Sequence, residues 1–170
     1  VQPKHSSISF PYAHEGFYEF DVHRTTQEVF DFLKTGRSVS IAEELLLKAH
    51  EAAYHRKNFR YALVESFTAA ELCVSNVLNR FKLSRGVSKG KLEEYRDEVP
   101  MAYKLNVELA VLLETPSDKE KQVIGDVNWL RKERNAVVHD GKVVIEAEAR
   151  RAVCVAHALF EMLSARGVEQ

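Results

Sequence analysis

From residue 25 onward, apolar residues recur at three- and four-residue intervals, the period of a helix that buries one face. A short segment over residues 27–34 presents Val29, Phe30 and Leu33 in this way. Ser40 stands three residues before Glu43, a spacing in which each side chain can cap the other's backbone amide, so a helix is predicted to start there. Ile41, Leu45, Ala49 and Ala52 then form one stripe. Asn58 is placed to cap the next helix, whose stripe runs Leu63, Phe67, Ala70, Val74, Val77 and Phe81. Its flank adds Ala62, Ala69, Leu72 and Cys73, so this helix is apolar over most of its girth and is expected at the centre.

A loop is expected next, then a segment over residues 91–98, then a helix opened by Pro100 with Met101, Leu105, Leu109 and Leu112 inward. Thr115-Pro116 ends it. Ser117 with Glu120 repeats the capping arrangement, and the helix that follows runs to His139, where Asp140-Gly141 supplies a stop. A last helix from about Glu146 turns Ala149, Val153, Ala156, Phe160 and Leu163 inward. The fold class expected is all-α, an antiparallel helical bundle over residues 25–170.

Residues 1–24 have a different pattern. Pro3, Pro11, Gly16 and three serines break helices, while Tyr18, Phe20 and Val22 alternate with Glu19, Asp21 and His23 as a half-buried strand would. A lone strand cannot stand by itself, so this stretch reads as an extended arm whose strand would pair with an upstream domain, with a partner protein, or with nothing. His5, His14 and His23 are spread too evenly for a metal site. Opening on Val1, the chain reads as a fragment or a processed form of a longer protein.

A net charge of −1 over 170 residues means that no global field draws this surface to nucleic acid or to an anionic membrane. Any RNA binding has to come from a local patch. Cys73 and Cys154 sit in apolar helical patterns and read as free buried thiols, in keeping with a reducing, cytoplasmic setting. No apolar run reaches the length of a membrane span, and no membrane partner, metal or cofactor is expected.

The candidate chemistry lies on the penultimate helix. Val123, Val127, Leu130 and Val137 define its inward stripe, and the member missing from that stripe is Arg134. A guanidinium at a core position has to be paired or to face a ligand or another subunit. Asn135 and His139 are four residues apart and share a face, and Arg134 lies roughly 100° from Asn135 around the axis. Arg131 adds positive charge one turn before Asn135. This set suits a phosphodiester. Arginine grips phosphate oxygens with two parallel hydrogen bonds, and histidine moves a proton near neutral pH. The ribose 2′-hydroxyl would be the nucleophile, and cleavage would leave a cyclic phosphate.

The run Arg134-Asn135-Ala136-Val137-Val138-His139, followed by Asp140-Gly141, resembles the Arg-x4-His motif of HEPN domains, with a polar residue directly after the Arg. The segment from Ala62 through Glu71-Leu72 to Leu78 resembles that family's early helix, with an acidic residue amid alanines, and Glu146 through Leu163 resembles its closing helix. The likeness spans roughly residues 38–165 of this sequence. It implies a helical bundle in which two copies of the motif meet across a homodimer. It also implies metal-independent endoribonuclease action, or RNA or nucleotide binding, with Arg134 as phosphate clamp, His139 as acid–base residue and Asn135 orienting either. Many such domains serve instead as non-catalytic dimerisation or interaction modules of larger proteins.

Each candidate has a plainer reading. Arg134 can pair with Glu71, whose neighbours Phe67, Val74 and Leu78 make a buried carboxylate reasonable, and such a pair would weaken the nuclease reading. Residues 79–91 carry Arg80, Lys82, Arg85, Lys89 and Lys91 with no acid. They read either as a phosphate-tracking loop or as a solvated one. Trp129, Arg131 and Lys132 can flank a nucleotide by stacking, or Trp129 can pack at an interface. His50, His55 and His157 read as surface residues.

Overall fold

A computed structural model of the chain describes residues 39–94 and 98–167. The compact unit that holds the bundle is Ser40–Gln170. The arm over residues 1–24 with its strand, and the helix expected over residues 27–34, lie outside the described residues. Among those described there is no strand, and the fold is an all-α helical bundle.

Helix α1 is Ile41–Tyr54, opened by the expected reciprocal cap. The Ser40 amide donates to Glu43 Oε2 at 2.7 Å, and the Glu43 amide donates to Ser40 Oγ at 3.2 Å. Its buried residues are Ala42, Ala49, Ala52 and Ala53, so one expectation needs correcting: Ile41 is 70% exposed. The alanines let α1 approach its neighbour closely, and a first-turn isoleucine lies off that face. Asn58 caps α2 (Phe59–Ser84) by accepting from the Tyr61 amide at 3.3 Å. With a loop of only residues 55–58 between them, α1 and α2 run in opposite directions.

Helix α2 is the centre of the bundle, packed against α1, α5 and α6, with Leu63, Phe67, Ala70, Val74 and Val77 buried. It runs to Ser84, three residues past the last member of the expected stripe, and ends in a turn where Gly86 takes φ +88°. Helix α3 is Lys89–Glu94.

Helix α4 opens after Pro100 as Met101–Tyr103, widens to a π-helical turn over Lys104–Glu108, and returns to α-helix over Leu109–Leu113. Its buried side chains are Met101, Leu105, Leu109 and Leu113, all four residues apart. A four-residue repeat drifts by about 40° per step on a regular α-helix, and the wider π turn takes up part of that drift. For this reason Leu113, rather than the expected Leu112, closes the stripe.

Helix α5 (Asp118–His139) and helix α6 (Glu146–Ala165) complete the bundle. The cap at Ser117 forms as expected, the Glu120 amide donating to Ser117 Oγ at 3.3 Å and the Ser117 amide to Glu120 Oε2 at 2.7 Å. At the other end Gly141 adopts φ +70° and the Lys142 amide bonds back to the Ala136 carbonyl at 3.1 Å, which ends α5 at the expected residue. Ala149, Val153, Ala156, Phe160 and Leu163 of α6 are all buried. Among the described residues no helix is long and apolar enough to cross a membrane.

Candidate functional site

Helix α5 carries the candidate residues and is fixed at both ends. Beside its first turn, Arg166 from the end of α6 grips Glu120 with Nε at 2.6 Å from Oε1 and Nη2 at 2.8 Å from Oε2. Those hydrogen bonds, with those from Ser117, hold the Glu120 carboxyl down at about 2. At its far end Lys142 bridges Glu133 of α5 and Glu148 of α6, the latter at 2.8 Å. Arg60, in the first turn of α2, donates to the Val137 carbonyl at 3.5 Å. The inward stripe of Val123, Val127, Leu130 and Val137 is buried as expected, and Arg134 occupies its vacant place half-buried.

Arg134 lies at the wall of an open cleft of about 240 Å³. Phe67 and Glu71 of α2 form one side, Pro100, Met101 and Ala102 at the start of α4 a second, and Arg131, Arg134 and Asn135 of α5 the third. The Arg134 guanidinium sits over the Phe67 ring, 5.5 Å from its centroid, and Nη1 donates to Asn135 Oδ1 at 3.2 Å. An aromatic face attracts a cation without neutralising it. The guanidinium is therefore oriented while keeping its charge for the cleft.

The anticipated Arg134–Glu71 pair does not form. Among the described residues no ion pair or hydrogen bond involves the Glu71 side chain, although both side chains line the cleft. The Nε atoms of Arg131 and Arg134 are buried, and neither has a hydrogen-bond partner. The Nε atoms of Arg150 and Arg151 are buried in the same way, so it is the placement of Arg131 and Arg134 in the cleft lining that sets these two apart. With two guanidiniums and one carboxylate in its lining, the cleft has an excess of positive charge. Neighbouring cations are already engaged, Lys104 with Ser75 Oγ at 3.2 Å and Lys82 with Glu108 at 2.7 Å.

Of the candidates chosen from sequence, Arg131, Arg134, Asn135 and Glu71 come together in this cleft. His139 and Lys132 are exposed and lie outside its lining. His139 is the last residue of α5, one turn beyond Asn135, or about 6 Å along the axis. Trp129 is covered by Arg151, whose guanidinium lies 4.0 Å from the ring centroid and bonds Asp126 at 2.9 Å, an arrangement of packing between α5 and α6. The basic stretch over residues 79–91 is partly helical rather than a loop, with Lys82 paired to Glu108 and Arg85 stacked on Phe81.

Phe67 is buried in the core as expected, but its contact with Arg134 and the wall from Pro100 to Ala102 were not anticipated. Their role depends on which helices face each other, and no local signal marks it. Cys73 is buried as expected, and burial pushes its thiol up to about 12, while Cys154 is half-buried. His50 is half-buried and stacks on Tyr54 at 4.5 Å rather than standing at the surface. Among the described residues no three His, Cys, Asp or Glu side chains group as metal ligands would. No model of a known family, no curated protein and no solved structure matches the chain.

Proposed function

We propose that the cleft between α2, α4 and α5 binds a phosphate group of RNA or of a nucleotide, with Arg131 and Arg134 as its clamp and Asn135 orienting Arg134. The observation that carries this reading is that Arg131 and Arg134 line one cleft without an ion pair among the described residues, with a single carboxylate, Glu71, in the same lining. A phosphate supplies acceptors to both guanidiniums at once.

The sharper form of the proposal is metal-independent endoribonuclease action. In that step the ribose 2′-oxygen bonds to phosphorus as the bond from phosphorus to the 5′-oxygen breaks. His139 takes the 2′-hydroxyl proton, and one proton is returned to the departing 5′-oxygen, leaving a 2′,3′-cyclic phosphate. The exposed position of His139 requires the strand to run from the cleft toward the C-terminal end of α5. The resemblance to HEPN domains adds the expectation that a second copy brings its own Arg134 and His139 to the same groove.

A second reading has its own observation. Val138, Val143 and Ile145 surround the end of α5 with exposed apolar side chains, Val143 at 81%. These favour a homodimerisation or interaction module of a larger protein, with the arginines holding the partner's carboxylates instead of phosphate.

The deciding experiment measures binding and cleavage of a labelled single-stranded RNA in EDTA, for wild type, Arg134→Ala and His139→Ala. Binding lost in Arg134→Ala and cleavage lost in both supports the enzyme. Binding without cleavage supports the coarser proposal. A folded wild-type protein that neither binds nor cuts overturns both and leaves the interaction module.

A further inference from the structure

The phosphate reading leaves Glu71 without a task. Here is a half-buried carboxylate, without an ion pair or hydrogen bond among the described residues, lining the same cleft as two arginines. On α2 it stands one turn from Phe67, over which Arg134 is parked. Arg134 is thus held by the ring and by Asn135, and the carboxylate is left facing the cleft. A phosphate alone would be repelled by it. Whatever fills the space has to bring acceptors to the arginines and donors to Glu71.

We infer that the cleft selects guanine: Glu71 accepts from the N1–H and N2–H donors of a guanine base whose phosphate is held by Arg131 and Arg134. An ionised carboxylate is an acceptor only, with two oxygens that take two parallel donors. Among the four bases, guanine alone presents two adjacent donors on its pairing edge. Adenine and cytosine set one amino donor beside a ring nitrogen lone pair, and uracil sets one donor between two carbonyls. Each of these turns a lone pair toward the carboxylate. The cleft volume of about 240 Å³ is below that of pockets that enclose a whole drug-sized ligand, which fits one base and its phosphate with the sugar in solvent.

This inference rests on the phosphate reading of the same cleft, and the test separates the two. Calorimetric titration of the full chain would use guanosine, adenosine, cytidine and uridine monophosphates and inorganic phosphate. A parallel titration would use a short oligoadenosine RNA with and without one guanosine. Wild type should favour the guanine form by about 10- to 100-fold, the scale of one good bidentate contact. Glu71→Gln, whose amide offers one donor and one acceptor, should lose that preference and bind the adenine nucleotide better. Preference for the free guanine nucleotide identifies a nucleotide ligand, while preference only within the oligomer identifies RNA, and either supports the inference. Equal binding of all four nucleotides and of phosphate, unchanged in Glu71→Gln but lost in Arg134→Ala, overturns it and leaves the phosphate reading standing. Preference for another base also overturns it. No binding of any probe by the folded protein removes both. The Glu71 side chain has no hydrogen bond or ion pair among the described residues, so the substitution should leave the bundle folded, which circular dichroism checks.

Discussion

The guanidinium of Arg134 rests over the ring of Phe67, 5.5 Å from its centroid, and not on the carboxylate of Glu71 one turn further along the same helix. That choice separates orientation from neutralisation. A carboxylate would have cancelled the charge, whereas a ring holds the cation and leaves it available. It also leaves Arg134 in the one gap of an otherwise aliphatic stripe, with a buried Nε that has no acceptor.

The first prediction follows from that gap. Arg134→Leu should be nearly as stable as wild type, within about 1 kcal/mol. The cation–π contact it loses is worth about 0.5–2 kcal/mol, against the unmet donor it removes and the apolar stripe it completes. Its affinity for single-stranded RNA should fall at least tenfold, and the salt dependence of binding should weaken by about one phosphate contact. Urea denaturation and anisotropy at several salt concentrations measure the two effects. A loss of about 3 kcal/mol or more in stability would mark Arg134 as a structural member of a buried network instead.

His139 stands in contrast to Arg134. It is exposed, at the last position of α5, and among the described residues its side chain makes no hydrogen bond or ion pair. Replacing it with alanine should change stability by no more than about 0.5 kcal/mol, as for ordinary surface positions. RNA binding should be retained, while EDTA-resistant cleavage should disappear. A variant that still cuts as fast as wild type would remove His139 from the chemistry.

These two residues also mark how far the sequence could be read. Features made by neighbours along the chain were legible: the caps at Ser40 and Ser117, the stop at Asp140-Gly141, and the vacancy at position 134 all depend on residues within a turn or two. Features made by the meeting of helices were not. Phe67 and Glu71 share a face of α2 at four-residue spacing, and nothing in that spacing says which of them meets Arg134. The answer depends on less than one turn of axial offset between α2 and α5. The wall of the cleft at Pro100–Ala102 was hidden for the same reason. The π turn in α4 left a trace in the strict four-residue spacing from Met101 through Leu113, a repeat that a regular α-helix cannot keep on one side for long.

Lys142 gives a third prediction. It joins Glu133 of α5 to Glu148 of α6 across the turn that follows His139, so it holds that turn against both helices. Its side chain is 36% exposed, which limits the pairs to about 1 kcal/mol in all. Both carboxylates raise the Lys142 pKa, so the contribution is present at neutral pH and is lost only as pH rises past the amine's own range. Lys142→Met should lower the melting temperature by a few degrees at low salt, with the gap narrowing as salt is added. Thermal melts at two ionic strengths check it.

The last prediction concerns the other end of α5. Glu120 accepts both nitrogens of Arg166 and caps its own helix through Ser117, and together these hold its carboxyl at about 2 against an ordinary 4.5. A carboxyl whose pKa is lower in the folded state contributes fully where it is ionised in both states, and progressively less as pH falls from the unfolded value to the folded one. The contribution should therefore be complete above about pH 4.5 and disappear as pH falls from there toward 2. Glu120→Gln removes the charge but keeps the shape, so the variant should melt below wild type at pH 7 and converge with it near pH 2. Because the carboxylate links the end of α6 to the start of α5, Arg166→Ala should reproduce the same convergence. Melting curves between pH 2 and 7 for the three proteins decide the matter. A gap that stays constant across that range would mean that the Glu120 charge contributes nothing and that the cap works by hydrogen-bond geometry alone.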